Sequence, residues 1–305
     1  MAAKQIILIT GGSGLIGNKL QTLFNGQGHE VRLLGRGFKG KKAQGKYYWN
    51  PEKGEIDESA LEDVTWLIHL AGESVAGKLW TKERKKVIIE SRTESTKLLI
   101  STIEKTGFKP TKVLCASAVG YYGSVTADDI FTEKDTHGKD FLAEVCVLWE
   151  TETAKFKLEL DIQTVIMRIG VVLAEEGGAL QEIVKPMRFV MGAVLGTGRQ
   201  WVPWIHIDDL VDMVSFALHK KETGGIYNAV APQFTNFKQL TEAAAKTLKK
   251  FVAPVNVPKF ALKVALGEQS VIVLEGSRVS PDKIIQEGYE FQFTDIQQAM
   301  DDLLV

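Results

Sequence analysis

The sequence predicts an α/β protein: a doubly wound parallel sheet with a smaller, helix-rich C-terminal lobe. Three observations carry this. Short, uniformly apolar runs alternate with longer amphipathic stretches through residues 1–173, as strands covered on both faces by helices do. The first run, QIILIT, leads directly into the glycine-rich GGSGLIG at 11–17. The chain has 305 residues, 45% hydrophobic and 25% charged, enough for one such domain and a second lobe.

In order, QIILIT (5–10) reads as a strand and 14–26 as the helix it feeds. EVRLLG (30–35) is a second strand, followed by the basic loop RGFKGKKAQGK. WLIHLAG (66–72) is a strand, the charged, periodic stretch 81–106 a helix, and KVLCASA (112–118) a strand. A helix at 141–159 and a strand at 163–173 follow. After Leu173 the rhythm breaks into glycine-rich segments and the knot WVPWIHIDDL. A helix at 208–220 and the strand IYNAVA (226–231) return to the sheet, and 233–305 form a helix-rich tail. The expected division is 1–173 plus about 205–232 in the sheet domain, and about 174–204 plus 233–305 in the second lobe.

A formal net charge of -1 gives no long-range field to recruit nucleic acid or an anionic membrane. Cys115 and Cys146 form no C-x-x-C, which fits a reducing cytoplasm. No apolar stretch reaches the roughly 20 residues that span a bilayer, and the opening run lacks the apolar length and cleavage site of a signal peptide. The histidines form no metal constellation.

A strand, a glycine-rich turn and a helix together make an anion site, because the first N–H groups of the helix are unpaired and its dipole favours negative charge. Gly11 permits the tight turn, Gly14 the approach of a pyrophosphate, and Gly17 close packing of helix on strand. Ser13, Leu15 and Ile16 complete the expected cofactor contact. A site for NAD carries an Asp or Glu at the end of the second strand, for the ribose 2′-hydroxyl. Here the strand ends in Arg36, whose planar fork suits a 2′-phosphate, so NADP is expected over NAD. Lys39, Lys41 and Lys42 read as a solvated loop.

TGGSGLIG (10–17), HLAG (69–72), SAVGYYG (117–123), RIGVV (168–172) and WIHIDD (204–209) occur in an order that resembles the extended short-chain dehydrogenase/reductases, whose sheet domain is of the Rossmann type. LAGESVAGKLW, DFLAEVCVLWE, GTGRQWVPWIHIDDL and LEGSRVSP resemble an atypical, NAD-dependent epimerase-like branch with a C-terminal domain of unknown function. The resemblance implies that Leu70, Ala71 and Gly72 line the adenosine side of the cofactor and that Val171 lies near the nicotinamide. It also implies a possible homodimer through two helices of the sheet domain. The family's proton-transfer pair does not carry over. Anchored on Glu150, the Tyr and Lys positions are Leu142 and Cys146. Ala118, with Ser117 beside it, stands for the catalytic Ser or Thr, and Arg92 stands for the Asn. The Arg that grips a nucleotide diphosphate in sugar epimerases is Val202, with Arg199 three residues earlier, so a sugar-nucleotide substrate loses support.

A relocated acid or base is therefore sought in Tyr121 or Tyr122, with Arg92 or Arg168 as the cation that a phenol needs near neutrality. Ser117 and Tyr121 are the donors expected at a developing oxyanion. Glu73 is placed at the junction of cofactor and substrate, bonding the nicotinamide ribose or acting as a base; as a first-turn acid it would merely steady the next segment. Arg92 is expected at a cofactor phosphate or ribose. His206 either binds substrate or is a satisfied, half-buried histidine next to a helix start; His69 reads as structural, and Cys146 as a core thiol. Trp201 and Trp204 either wall a cleft or pack between lobes. Lys82, Arg84, Lys85 and Lys86 read as a solvated helix face. The expected activity is hydride transfer between NADP(H) and a small carbonyl or alcohol. The alternatives are a non-catalytic NADP(H) sensor and a nucleotide-sugar epimerase with a moved proton carrier.

Overall fold

In chain order the strands are β1 (Ile6–Thr10), β2 (Glu30–Gly35), β3 (Lys46–Asn50), β4 (Glu55–Ile56), β5 (Trp66–His69), β6 (Lys112–Ala118), β7 (Ile130–Phe131), β8 (Gln163–Ile169), β9 (Val171–Leu173), β10 (Trp204–His206), β11 (Gly225–Ala229) and β12 (Arg278–Val279). The helices are α1 (Leu15–Gly26), α2 (Lys82–Thr106), α3 (Phe141–Leu158), α4 (Gly178–Phe189), α5 (Ile207–His219), α6 (Phe237–Thr247), α7 (Lys259–Leu266), α8 (Val271–Leu274), α9 (Asp282–Gln286) and α10 (Ile296–Leu304). The computed structural model describes residues 4–40, 44–189 and 191–305; Lys41 and Lys42 of the basic loop lie outside the described residues.

Eight strands form the main sheet in the order β11-β8-β6-β5-β1-β2-β3-β4. Every pairing in it is parallel except that of β3 with β4. The chain winds outward from β1 through β2 and β3, then returns to β5 and winds the other way. The reversal falls between β1 and β5, where a doubly wound sheet opens a crevice at its carboxyl edge. Alternate residues supply two apolar layers. Ile7, Ile9, Ile68, Leu114, Val165 and Met167 belong to one core, with Leu20 and Phe24 of α1 and Leu210 and Val214 of α5. Leu8, Leu67, Val113 and Cys115 belong to the other, with Leu99 and Ile103 of α2 and Phe156 of α3.

Three features depart from expectation. β3 and β4 extend the sheet beyond the basic loop, where no strand was expected. The strand expected over 163–173 breaks at Gly170 into β8 and β9. There the Pro203 carbonyl approaches so closely that a Cβ at Gly170 would lie 2.2 Å from its oxygen, and β9 leaves the main sheet to pair with β10. The glycine-rich stretch after Leu173 contains α4.

The C-terminal segment is fastened to the sheet domain at several points. Asp209, buried in the first turn of α5, accepts hydrogen bonds on its carboxylate from the Gln292 N–H (2.8 Å) and the Phe293 N–H (3.0 Å), and the Tyr289 hydroxyl donates to its backbone carbonyl at 2.7 Å. β12 pairs with β7, and Gln269 donates to the Val75 carbonyl at 2.9 Å.

Candidate functional site

The site begins at the turn after β1. Gly11 adopts a φ of 71°, and a Cβ there would lie 3.0 Å from the Leu70 carbonyl; the left-handed backbone and the close approach both require glycine. Gly14 caps α1 in an extended conformation with no side-chain cap, and the first turn of α1 carries no acidic residue. A Cβ at Gly17 would sit 2.5 Å from Gly11 O and 2.6 Å from Gly12 Cα, so the helix packs against the turn itself. Gln21 tethers the turn from within α1, donating to the Gly12 carbonyl at 2.6 Å. The first N–H groups of α1 thus face outward uncapped, in a fixed backbone that can receive an anion.

The wall of this cradle is the end of β5. The Leu70 and Ala71 N–H groups donate to Thr10 Oγ1 at 3.1 and 3.2 Å. That leaves the Thr10 proton for His69 Nδ1, 2.7 Å away, so Nε2 carries the imidazole hydrogen toward Thr96 and Ser95 at 3.1 and 3.2 Å. His69 is fully buried, and burial, with Arg92 nearby, lowers its pKa to about 3. It is a neutral structural bridge, as the sequence predicts.

Arg36 stands at the carboxyl end of β2 with its side chain 61% exposed. Nη1 reaches Glu52 at 3.4 Å and Nη2 reaches Glu73 at 3.3 Å. Glu73 also accepts from Arg84 Nη1 at 3.2 Å; the Arg84 bond and, to a lesser degree, Arg36 hold its carboxyl below the usual range despite partial burial. This corrects the expectation for Glu73. Its oxygens are committed to two guanidinium groups on the Arg36 side of the cleft, so it is not a free base. Arg92 buttresses the same turn. Its Nη1 donates to the carbonyls of Glu73 (3.0 Å) and Ile88 (2.9 Å), and its guanidinium lies over Trp149 and against Gly72.

At the end of β6 the side chains form a buried polar chain. Ser117, 3% exposed, donates to Glu150 Oε1 at 2.6 Å. Glu150 receives Nε and Nη2 of Arg168 at 2.9 and 2.8 Å. Arg168 Nη1 donates to the Tyr122 hydroxyl at 3.0 Å, which donates to Asn228 at 2.7 Å. Burial pushes the Tyr122 phenol up to about 12 against the pull of Arg168, so Tyr122 is a structural group. Ser117, expected to donate to substrate, instead gives its proton to a carboxylate in the interior, because β6 turns it toward α3 and Ala118 the other way. Tyr121 differs. Its ring lies with its centroid 3.3 Å from the Arg168 guanidinium carbon, and among the described residues its hydroxyl has no hydrogen-bond partner. Arg168, not Arg92, is the cation beside both phenols.

The geometry also fixes the register of α3. A Cβ at Gly120 would lie 3.3 Å from Leu142 Cβ and 3.8 Å from Cys146 Sγ. The two positions that the sequence reading assigns to the family's Tyr and Lys, Leu142 and Cys146, both face the turn after β6 and are apolar. Burial raises the Cys146 thiol to about 12, so it is a core thiol.

His206 caps α5 through Nδ1, which accepts the Asp208 N–H at 3.1 Å. It is wholly buried and stacks on Phe293 at 3.7 Å. Among the described residues, His206, Asp208 and Asp302 are the one grouping spaced like metal ligands. Because Nδ1 accepts, Nε2 holds the proton and presents no lone pair. Val202 is buried. Trp204 is in the core, bonded to Thr235 at 3.0 Å, and Trp201 packs between the lobes, donating to the Ala127 carbonyl at 2.9 Å. Val171 stands half-buried at the start of β9, its N–H on the Pro203 carbonyl at 2.7 Å.

Comparison with known proteins agrees with this geometry. The model of the NAD dependent epimerase/dehydratase family matches residues 7–229, and a domain of unknown function, DUF1731, matches 257–303. The epimerase family protein YfhF of Bacillus subtilis is 36% identical over 301 residues, covering 98% of this chain and 97% of its own. The mouse epimerase family protein SDR39U1 is 31% identical, covering 98% of this chain and 99% of its own. The crystal structure of human SDR39U1 (isoform 2) with NADPH superposes with a TM-score of 0.87 at 28% identity, covering 98% of each chain. A nucleotide-binding, epimerase-like sheet domain carrying an additional C-terminal segment follows from all of these, and the chain belongs to the NAD-dependent epimerase/dehydratase family.

Proposed function

We propose that this chain binds NADPH and transfers hydride between it and a small carbonyl or alcohol, with Tyr121 replacing the family's usual proton donor. The observation that carries the reading is Arg36. It places a solvent-facing guanidinium at the end of β2, beside a cradle with no acid in its first helical turn. A 2′-phosphate suits that arrangement, and the human relative was solved with NADPH. The α1 N-terminus with Gly11, Ser13, Gly14, Leu15, Ile16 and Gly17 would hold the diphosphate, Leu70 to Gly72 the adenosine side, and Val171 the nicotinamide side. When bound, the nicotinamide supplies or takes up hydride. The chain's own part is to orient the substrate and hold a proton at the Tyr121 hydroxyl. The Arg168 guanidinium against the ring face favours the negative charge that builds on that oxygen.

Two measurements test this. Calorimetry should give tighter binding of NADPH than of NADH, and Arg36→Asp should reduce the NADPH:NADH affinity ratio by about tenfold or more, the value of a charge-assisted phosphate contact. An unchanged ratio removes the role of Arg36. With a turned-over carbonyl substrate, Tyr121→Phe should lower kcat by about 10²-fold or more; an unaffected kcat removes Tyr121.

A second reading has its own support in the apolar pair Leu142 and Cys146, packed on Gly120. A nucleotide-binding site without its proton relay serves a redox sensor, whose occupancy by NADPH alters a partner surface. Tight NADPH binding with no turnover over a broad carbonyl screen selects it. The nucleotide-sugar epimerase is least favoured, since Val202 offers no charge to a diphosphate.

A further inference from the structure

We infer that Glu73 is a specificity-determining positioning residue: fastened by Arg84, it orients Arg36 for a 2′-phosphate. The inference rests on the NADPH reading above and adds a residue to it.

A carboxylate beside the second-strand end ordinarily favours NAD, because it accepts from the ribose 2′-hydroxyl. Glu73 stands at such a place, yet both its oxygens are engaged. Oε1 takes Arg36 Nη2 at 3.3 Å and Oε2 takes Arg84 Nη1 at 3.2 Å. The backbone of Glu73 is fixed as well. Its N–H donates to Ser91 Oγ at 3.0 Å, and its carbonyl receives Arg92 Nη1 at 3.0 Å. Arg84 is itself well buried, its side chain 13% exposed, and donates again to the Ser74 carbonyl. Glu73 is thus a rigid post.

Arg36 is the opposite: long, exposed and costly in rotamer freedom to immobilise on a ligand. A rigid carboxylate at one Nη restricts that freedom before a ligand arrives, which strengthens binding by preorganisation. Glu52, at the other Nη, is 75% exposed, and among the described residues no other group fixes its carboxylate, so it restrains far less. Glu73 balances one of the two guanidinium groups, and the exposed Glu52 offsets the other only loosely. Arg36 also retains its Nε–H and one hydrogen on each Nη for the ligand.

The test is fluorescence titration of the full chain with NADPH and with NADH. Glu73→Gln should weaken NADPH about three- to fivefold, the range of an exposed ion pair, and leave NADH within about twofold. Glu52→Gln should leave both within about twofold. In an Arg36→Gln background, Glu73→Gln should have no further effect on NADPH, a coupling that a merely structural role would not produce. If Glu73→Gln does not fold, as judged by its melting curve, Arg84→Gln tests the same fork; loosening the Glu73 carboxylate should lower the NADPH:NADH ratio. The inference is overturned if the folded variant binds NADPH as well as or better than wild type. It is also overturned if both coenzymes weaken alike, or if the effect persists without Arg36. Failure of the wild-type chain to bind NADPH at all would instead sink the NADPH reading itself.

Discussion

His69 shows how a single side chain can hold the cleft wall without touching a ligand. Its imidazole bridges Thr10 on β1 to Thr96 and Ser95 on α2, and stays neutral because burial lowers its pKa to about 3. The unfolded chain takes up a proton there near pH 6.5, the folded chain only near 3. The stabilisation is therefore complete above pH 6.5 and is lost as pH falls through the interval down to about 3, by up to about 1.4 kcal/mol per pH unit. Urea unfolding at pH 7 and pH 5 should show a steeper loss for wild type than for His69→Asn; equal losses would refute the linkage. Arg168 behaves otherwise. Burial disfavours its charge, but the two-pronged contact with Glu150 outweighs that and raises its pKa. Both residues lie on apolar strands, yet one is kept neutral and the other charged by what stands opposite.

Among the elements, the unit of β1, turn and α1 was legible in the sequence because its signals are local: a buried strand, glycines at fixed offsets and a helix period. The same steric reasoning makes a prediction. Gly17→Ala puts a Cβ 2.5 Å from Gly11 O, so the turn must shift. Coenzyme binding should fall below detection by calorimetry, and stability by about 1–3 kcal/mol. Other elements were hidden because their causes are distant in the chain. Nothing within 163–173 announces the break at Gly170, which the Pro203 carbonyl enforces. KYYWN became β3 only by pairing with β2 and β4, and its flanking lysines mask it. The helical spacing that puts Leu142 and Cys146 on one face of α3 was readable, and both side chains pack toward Gly120. The partner of Ser117 was not, since Glu150 reaches it from a facing helix.

At the scale of the molecule, the C-terminal segment is held by a few buried polar anchors as well as by apolar packing. Asp209 is one of them, its carboxylate accepting the Gln292 and Phe293 N–H groups and its carbonyl the Tyr289 hydroxyl. Asp209→Ala leaves those N–H groups unpaired and should cost at least about 2 kcal/mol. The loss should appear as faster limited proteolysis between residues 233 and 305 while the sheet domain survives as a protected fragment. Cleavage at the wild-type rate would show that apolar contacts suffice. Among the described residues no helix is long and apolar enough to cross a membrane.

The position of β11 has a consequence for biogenesis. This outermost strand, residues 225–229, seals the exposed margin of β8, yet the ribosome delivers it only after three-quarters of the polypeptide has emerged. Until then a nascent chain displays a naked, hydrophobic ribbon able to recruit strands from its neighbours. Translation that stalls before codon 225 should therefore yield sticky products dependent on chaperones.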